Sequence, residues 1–216
     1  MNSLMTIFET YIMVLVHPFR IHQQFRHQVA LPGQENHFFA PLKLSEALSI
    51  SWIFAIIRGL GKILLMNFFL QSFIDLQTDS YPILQEIILS SGLTTYYFLL
   101  FSAALDIIFF PIVTFISTEV WAWIIRLFSR WLNPDLPYEE IADQITTHAL
   151  SSNLFTMIPF IGDLIQSGLY YFLLYAGLRS NLGASRSLAW VILLAPTVFL
   201  LMTMTLIVFT VFYLVS

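Results

Sequence analysis

The feature that most constrains this chain is an apolar run at residues 188–214, which contains no charged residue. A helix rises about 1.5 Å per residue, so about 20 apolar residues suffice to cross the hydrocarbon core of a bilayer. Charged residues make up only 10% of the chain, against about 25% in soluble domains. This composition suits a lipid bilayer and not water, and we predict an integral membrane protein.

Further apolar segments of helical length extend this pattern. We predict an all-α fold, a polytopic integral membrane helix bundle with about five transmembrane helices. The predicted spans are residues 47–70, 93–117, 139–158, 164–178 and 188–214.

The N-terminal segment has a different pattern. Its apolar side chains are spaced for one helical face, but its uninterrupted apolar run, residues 11–16, is too short to cross a bilayer. Pro18 disfavours a continuing helix before it and restarts the chain. We therefore predict an N-terminal amphipathic, interfacial helix, with residues 1–41 forming this segment and a linker, and residues 42–216 the five-helix membrane domain.

The basic residues predict the topology. Lys43 precedes the first span, and Arg126 and Arg130 follow the second. Arg179 and Arg186 lie in the connection between the fourth and fifth spans. The connections between the first and second spans and between the third and fourth spans contain no Lys or Arg. Five crossings with a cytoplasmic N-terminus put every basic connection on the cytoplasmic side, as the positive-inside rule requires.

Composition and motifs narrow the possible functions. Nine basic residues against 13 acidic ones leave a net charge of −4, and no basic stretch indicates a nucleic-acid partner. The absence of cysteine excludes disulfides, thiolate metal sites and cysteine nucleophiles. The chain carries no Gly-x-Ser-x-Gly, no His-Glu-x-x-His and no phosphate-binding glycine loop. We therefore expect no enzymatic activity, no cofactor and no metal.

Four ionisable residues form the candidate site: Arg58, Lys62, Asp106 and His148. Counted along their helices, Arg58, Asp106 and His148 fall at a similar depth, about 14–16 Å from the cytoplasmic end, and Lys62 lies one turn beyond Arg58. An uncompensated charge at that depth costs about 2.5–3.5 kcal/mol, so pairing is expected. One hypothesis is a polar pathway or headgroup site, in which Arg58 and Lys62 hold an anion while Asp106 or His148 titrates. The other is an internal salt bridge that fixes the helix register.

Two further sets of residues have structural interpretations. Gly59 and Gly61 in the first span are predicted to permit close approach of another helix. His17, His22 and His27 recur every five residues, which places successive side chains about 140° apart on a helix, so they do not converge as metal ligands would. We predict that these histidines face solvent or lipid headgroups.

Proline, glycine and small residues recur at particular places in the chain. These places are His17-Pro18-Phe19, Leu136-Pro137-Tyr138-Glu139-Glu140, Ala149 to Ser151, Ile158-Pro159-Phe160-Ile161-Gly162, Tyr175-Ala176-Gly177-Leu178, Ser185-x-x-x-Ala189 and Pro196. In this pattern the chain resembles the Yip1 domain family of small membrane proteins, over roughly residues 15–210. The resemblance implies five membrane helices and a cytoplasmic N-terminal segment.

In eukaryotic members, the resemblance implies vesicle trafficking with prenylated Rab GTPases. This chain has a short N-terminal segment and no Asp-Leu-Tyr-Gly-Pro motif near the first two spans, so Rab binding is not carried over. The chain is most similar to the simple, often bacterial members. We therefore expect residence in a bacterial inner (cytoplasmic) membrane with a cytoplasmic N-terminus.

Two functions follow as hypotheses. The first is a Yip1-like integral membrane scaffold or adaptor that acts without catalysis in membrane organisation or trafficking. Its partners would be the lipid bilayer and either a second copy of the chain or another membrane protein. The alternative is a small transporter, channel or lipid-handling protein that uses the Arg/Asp/His cluster at mid-membrane.

Overall fold

The fold is seen in a computed structural model that describes residues 4–30, 42–77, 82–132, 137–158 and 161–215. All regular structure in these residues is helical, and they contain no strand, which confirms the all-α prediction. The elements in chain order are α1 (Leu4–Val16), α2 (Pro18–Ala30), α3 (Leu44–Gln77), α4 (Pro82–Leu132), α5 (Tyr138–Ala149), a 3₁₀ helix (Leu150–Met157), α6 (Gly162–Ser180) and α7 (Arg186–Val215).

Three of these helices are long and apolar enough to cross a membrane. The qualifying segments are Leu44–Phe69 of α3, Leu100–Leu132 of α4 and Arg186–Tyr213 of α7. Their apolar side chains are largely exposed, which is compatible with an integral membrane protein because contiguous exposed apolar surface is rare on soluble monomers. The predicted spans in α5 and α6 are helical but are not among these three segments.

The helix restart predicted at Pro18 is confirmed, since α1 ends at Val16 and α2 begins at Pro18 itself. Proline suits the first position of a helix because its fixed φ is helical and its missing N–H has no partner to lose there. Both helices contribute to the interior: Tyr11 and Val14 are fully buried, and Phe25 is nearly so. Their position relative to a bilayer stays a prediction.

The first turn of α3 is capped by a carboxylate from within the helix. The helix begins at Leu44, so Ser45 lies inside the first turn and its carbonyl accepts a hydrogen bond from the Ser49 hydroxyl at 2.7 Å. The cap is made by Glu46, whose carboxylate accepts the backbone N–H of Lys43 at 3.2 Å. This is the glutamate half of a capping box.

The long helix α4 extends beyond the predicted span 93–117 to Leu132 and ends before the proline-rich segment 133–137. It also begins earlier than its apolar span. The segment 71–91, which separates the first two predicted spans, is helical over 71–77 and 82–91, because helical backbone bonds form whether or not the side chains are apolar.

The predicted span 139–158 is divided into two helix types. The α-helix ends at Ala149, and Leu150–Met157 is a 3₁₀ helix. The hydroxyls of Ser152 and Thr156 each donate to the carbonyl three residues earlier, at 2.8 and 2.7 Å. Such side-chain bonds compete with the α-helical backbone ladder and accompany the tighter winding.

Two apolar clusters hold the helices together. The larger is built from α1, α2, the C-terminal part of α4, α5, α6 and the first turns of α7. The smaller joins α1, the start of α3 and the 3₁₀ helix. Fully buried side chains at their centres are Tyr11, Ile125, Ile141, Ile145, Leu150, Leu173, Leu174, Leu178, Leu182 and Ile192.

The prediction for the two glycines of α3 is confirmed for one and wrong for the other. A Cβ at Gly59 would lie 2.5 Å from Cδ1 of Ile107 on α4, so α3 and α4 approach closely there. The indole N–H of Trp52 donates to the Ile107 carbonyl at 2.9 Å in the same contact. A Cβ at Gly61 would meet nothing within 4 Å.

Candidate functional site

The structure brings three of the four predicted site residues together. Lys62 Nζ lies 3.6 Å from Asp106 Oδ2, and Arg58 Nη2 lies 3.9 Å from the same oxygen. Arg58 Nη1 donates to Oδ1 of Asp163 at 2.8 Å, which makes this the closest contact of the group. We call these four residues, from α3, α4 and α6, the ionic cluster. Its two cations face two carboxylates, so its formal charge is zero.

Asp163 is the member that sequence reasoning missed. Its position in the first turn of α6 suggests an interaction with the helix dipole, and this remains compatible with the ion pair. Position 163 lies 105 residues from position 58, and no local spacing joins them. The pair forms because α3 and α6 both pack against the 3₁₀ helix.

Arg58 is the most buried charged side chain of the ionic cluster. Its side chain is 18% exposed, whereas those of Lys62 and Asp106 are each 47% exposed. The guanidinium carbon also lies 6.0 Å from the centre of the Phe110 ring. Asp163 is itself 57% exposed, so Arg58–Asp163 is the shortest contact of the cluster but, like the others, is expected to contribute little to stability.

The fourth predicted residue, His148, lies in a different place. Its ring contacts His22 of α2 edge to face, with centroids 5.1 Å apart, and stacks on Phe25 with centroids 4.9 Å apart. His148 is fully buried, and its two nitrogens have no hydrogen-bond partner among the described residues. The structure therefore does not join His148 to the ionic cluster.

The prediction that His22 faces solvent or headgroups is wrong. His22 is fully buried where α2 packs against α5 and α6, and burial lowers its pKa from 6.5 to about 4. Space for the ring comes from Gly177 of α6, where a Cβ would lie 3.2 Å from Cε1 of His22. His17 is exposed, as predicted, and the side chain of His27 lies outside the described residues.

A second polar group links four elements through hydrogen bonds. The Asn153 amide of the 3₁₀ helix donates to the Ser51 hydroxyl of α3 at 2.9 Å and accepts from the Gln166 amide of α6 at 3.0 Å. The Tyr11 hydroxyl of α1 donates to the Ala47 carbonyl at 2.7 Å and lies 3.2 Å from the Ser51 oxygen. This network ties the helices together without any charged group.

A cavity of about 280 Å³ lies beside the ionic cluster, between α3, α4, the 3₁₀ helix and α6. Among the described residues that line it, Arg58 is the only charged one, so the cavity and the cluster meet at this side chain. Its other lining residues are mostly hydroxyl-bearing, amide-bearing and aromatic. They are Phe110, Val113, Thr114, Ser117, Thr118, Trp121, Leu150, Asn153, Thr156, Gln166, Ser167, Tyr170 and Tyr171.

Among the described residues, no group of three or more His, Cys, Asp or Glu side chains is placed to hold a metal ion. No family model matches the chain, and no curated protein or solved structure matches it either. The similarity to the Yip1 domain family therefore stays a prediction from the sequence.

Proposed function

We propose that the protein is a non-catalytic integral membrane scaffold or adaptor of the Yip1 type, which acts in membrane organisation or trafficking through protein or lipid contacts. The observation that carries this proposal is the pairing within the ionic cluster. The Arg58–Asp163 contact at 2.8 Å and the Lys62–Asp106 contact at 3.6 Å join α3, α4 and α6. Cations already engaged by carboxylates fix the positions of helices, which favours the structural interpretation of these charges.

The proposed location is a bacterial inner membrane, with five crossings, a cytoplasmic N-terminus and the N-terminal amphipathic segment at the interface. The length of α5 with the 3₁₀ helix supports five crossings. Their 12 and 8 residues extend about 34 Å together, and the 19 residues of α6 about 28 Å, close to the roughly 30 Å of hydrocarbon. The polar side chains of this segment, including Thr146 and Asn153, are buried in protein, where they would avoid lipid.

Contacts at the other end of the bundle also support this topology. Arg126 near the end of α4 forms an ion pair with Asp143 in α5, and a second one with Glu119 at 3.8 Å. Five crossings place the end of α4 and the start of α5 together on the cytoplasmic side. The basic residue and its carboxylate would then meet where the positive-inside rule expects Lys and Arg.

A single-cysteine experiment tests the scaffold proposal. Ser151 is fully buried and its hydroxyl has no partner among the described residues, so it reports on the interior. Since the chain has no cysteine, Ser151→Cys creates one thiol. A scaffold with a dry interior leaves this thiol unlabelled by a membrane-impermeant maleimide, whereas Ser185→Cys, at an exposed position, is labelled as the control. Rapid labelling of Ser151→Cys from one side of the membrane contradicts the scaffold.

The second candidate function is a small transporter, channel or lipid-handling protein. The cavity beside Arg58 favours it, because a lined space of about 280 Å³ next to a guanidinium can admit a polar group. A water-filled pathway should also make Ser102→Cys, one turn before Asp106 on α4, accessible to the same reagent. Labelling at both Ser102→Cys and Ser151→Cys would favour this candidate over the scaffold.

A further inference from the structure

The cavity combines a polar lining with apolar side chains of a helix that can face lipid. It is lined on the α4 side by Phe110, Val113 and Trp121, within the candidate span Leu100–Leu132. Val113 is 62% exposed, so the apolar surface continues outward from the cavity. An amphiphile placed here would keep its chains along α4 and its polar group inside the cavity.

The charge of the lining favours an anionic oxygen group. Arg58 lines the cavity, but its carboxylate partners Asp106 and Asp163 do not. One terminal nitrogen of Arg58 is engaged by Asp163 at 2.8 Å, while the other has only the long 3.9 Å contact with Asp106. Since a guanidinium carries five N–H donors in a planar fork that matches phosphate, donors remain for a phosphate oxygen.

The Tyr170 hydroxyl provides a second observation. It is buried in the cavity lining and interacts with the Ser117 hydroxyl of the same lining, but the contact falls outside the geometry of a normal hydrogen bond. A buried hydroxyl with so weak a partner is costly, so a ligand oxygen that bridges it would stabilise the fold. Ser117, Thr114 and Ser167 add hydroxyls to the same lining.

We infer that this cavity binds the phosphate group of a membrane phospholipid, with the phosphate between Arg58 and Tyr170 and the acyl chains along the exposed face of α4. The volume of about 280 Å³ lies near the lower end for small-molecule pockets, about 300 Å³, which suits a headgroup while the chains stay outside. This inference rests on the proposed function in one respect, that the chain is embedded in a bilayer and contacts lipids.

Lipid retention by the purified full-length chain tests the inference. The protein in detergent is incubated with phosphatidylglycerol, with diacylglycerol, which lacks the phosphate, or with inorganic phosphate, and bound molecules are counted by native mass spectrometry. Retention of phosphatidylglycerol at least about tenfold above diacylglycerol is expected, since each tenfold corresponds to 1.4 kcal/mol of binding free energy. Inorganic phosphate retained in place of phosphatidylglycerol would overturn the assignment to a lipid.

Two variants and two matched controls locate the site. Ser117→Leu fills the cavity without removing an ion pair, and Arg58→Gln removes the guanidinium; each is expected to lower phosphatidylglycerol retention about tenfold. Arg130→Gln removes an exposed cation near the end of α4 that does not line this cavity, and Ser102→Leu makes the same change elsewhere on α4, so both should retain lipid as the wild type does. Circular dichroism shows which variants keep their helices, and Ser117→Leu decides the question if Arg58→Gln unfolds.

Two outcomes overturn the site itself. Wild-type retention by a folded Ser117→Leu variant means that the lipid binds elsewhere, and equal losses in Arg130→Gln and Arg58→Gln mean that overall charge, not the cavity, holds the lipid. A different measurement decides whether the scaffold proposal fails. Rapid labelling of Ser151→Cys contradicts the scaffold even where retention still depends on Ser117.

Discussion

At the residue scale, the packing of α6 depends on an absent side chain. A Cβ at Gly177 would lie 2.7 Å from Cγ2 of Ile145 and 3.2 Å from Cε1 of His22. Gly168 lies on the same helix, and a Cβ there would meet nothing within 4 Å. The two glycines therefore differ in packing while sharing the same helical backbone, which makes them a matched pair.

Alanine at these two positions should change stability in opposite directions. Gly177→Ala is expected to destabilise the fold by about 1–3 kcal/mol, because Ile145 and the His22 ring must move to admit the methyl group. Gly168→Ala should raise stability by up to about 1 kcal/mol through helix propensity alone. Thermal unfolding of the detergent-solubilised variants measures both, and a Gly177→Ala variant as stable as the wild type would contradict the close packing.

One hydrogen bond adds to the apolar contacts that dock α1. Tyr11→Phe removes the hydroxyl that donates to the Ala47 carbonyl at 2.7 Å while keeping the ring that packs on Phe54. We expect a loss of about 1 kcal/mol in unfolding free energy. Tyr138→Phe, at a half-buried position, is the control and should lose much less. Equal effects of the two variants would mean that the Tyr11 hydroxyl does not hold α1 against α3.

At the element scale, α2 packs through a buried imidazole that the fold keeps neutral. His22 of α2 faces His148 of α5 and lies against Gly177 of α6, so protonation would place a charge among three packed helices. Burial lowers the pKa of His22 to about 4, below the 6.5 of an exposed histidine. Between these two values the unfolded chain binds more protons than the folded one, so stability must decrease as the pH is lowered through this window.

The expected pH dependence follows from that difference. The contribution of neutral, buried His22 to the free energy of unfolding is fully present above about pH 6.5. It decreases as the pH falls from 6.5 to 4 and does not change further below pH 4, so the total loss is about 3 kcal/mol. Unfolding free energy measured from pH 7.5 to 4 in detergent should show this slope. His22→Phe, which cannot titrate, should show a smaller slope, and identical slopes would assign the effect to other groups.

At the scale of the whole molecule, the number of crossings separates two arrangements of the same helices. The candidate spans in α3, α4 and α7 are the three that length and composition support. In the proposed five-crossing topology, α5 with the 3₁₀ helix and α6 are two further crossings. The ends of α6 would then lie on opposite sides of the membrane.

Cysteines at the two ends of α6 test this arrangement. Ile161→Cys and Ser185→Cys are at exposed positions just before and after the helix, and each creates the only thiol in the chain. Five crossings predict that an impermeant maleimide labels Ile161→Cys from the periplasmic side and Ser185→Cys only from the cytoplasmic side. Labelling of both from the same side would rule out α6 as a crossing.

Much of the helical framework could be predicted from the sequence. The restart at Pro18, the continuation of α4 to Leu132 and the turn between α6 and α7 follow from proline and glycine positions and from local periodicity. Similar depth also predicted that Arg58, Lys62 and Asp106 could meet, and the structure places them together. The same estimate of depth also placed His148 with them, which the structure does not do, because depth along a helix does not determine which way a side chain faces.

The sequence by itself determined that the chain is helical and suited to a bilayer, because hydropathy and helical length are sums over neighbouring residues. Only the tertiary structure decided that Arg58 pairs with Asp163, that His22 is buried against His148, and that a cavity lies between α4 and α6. Each of these depends on contact between residues far apart in the chain. Such contacts are determined by how whole helices pack, and the local pattern carries no information about them.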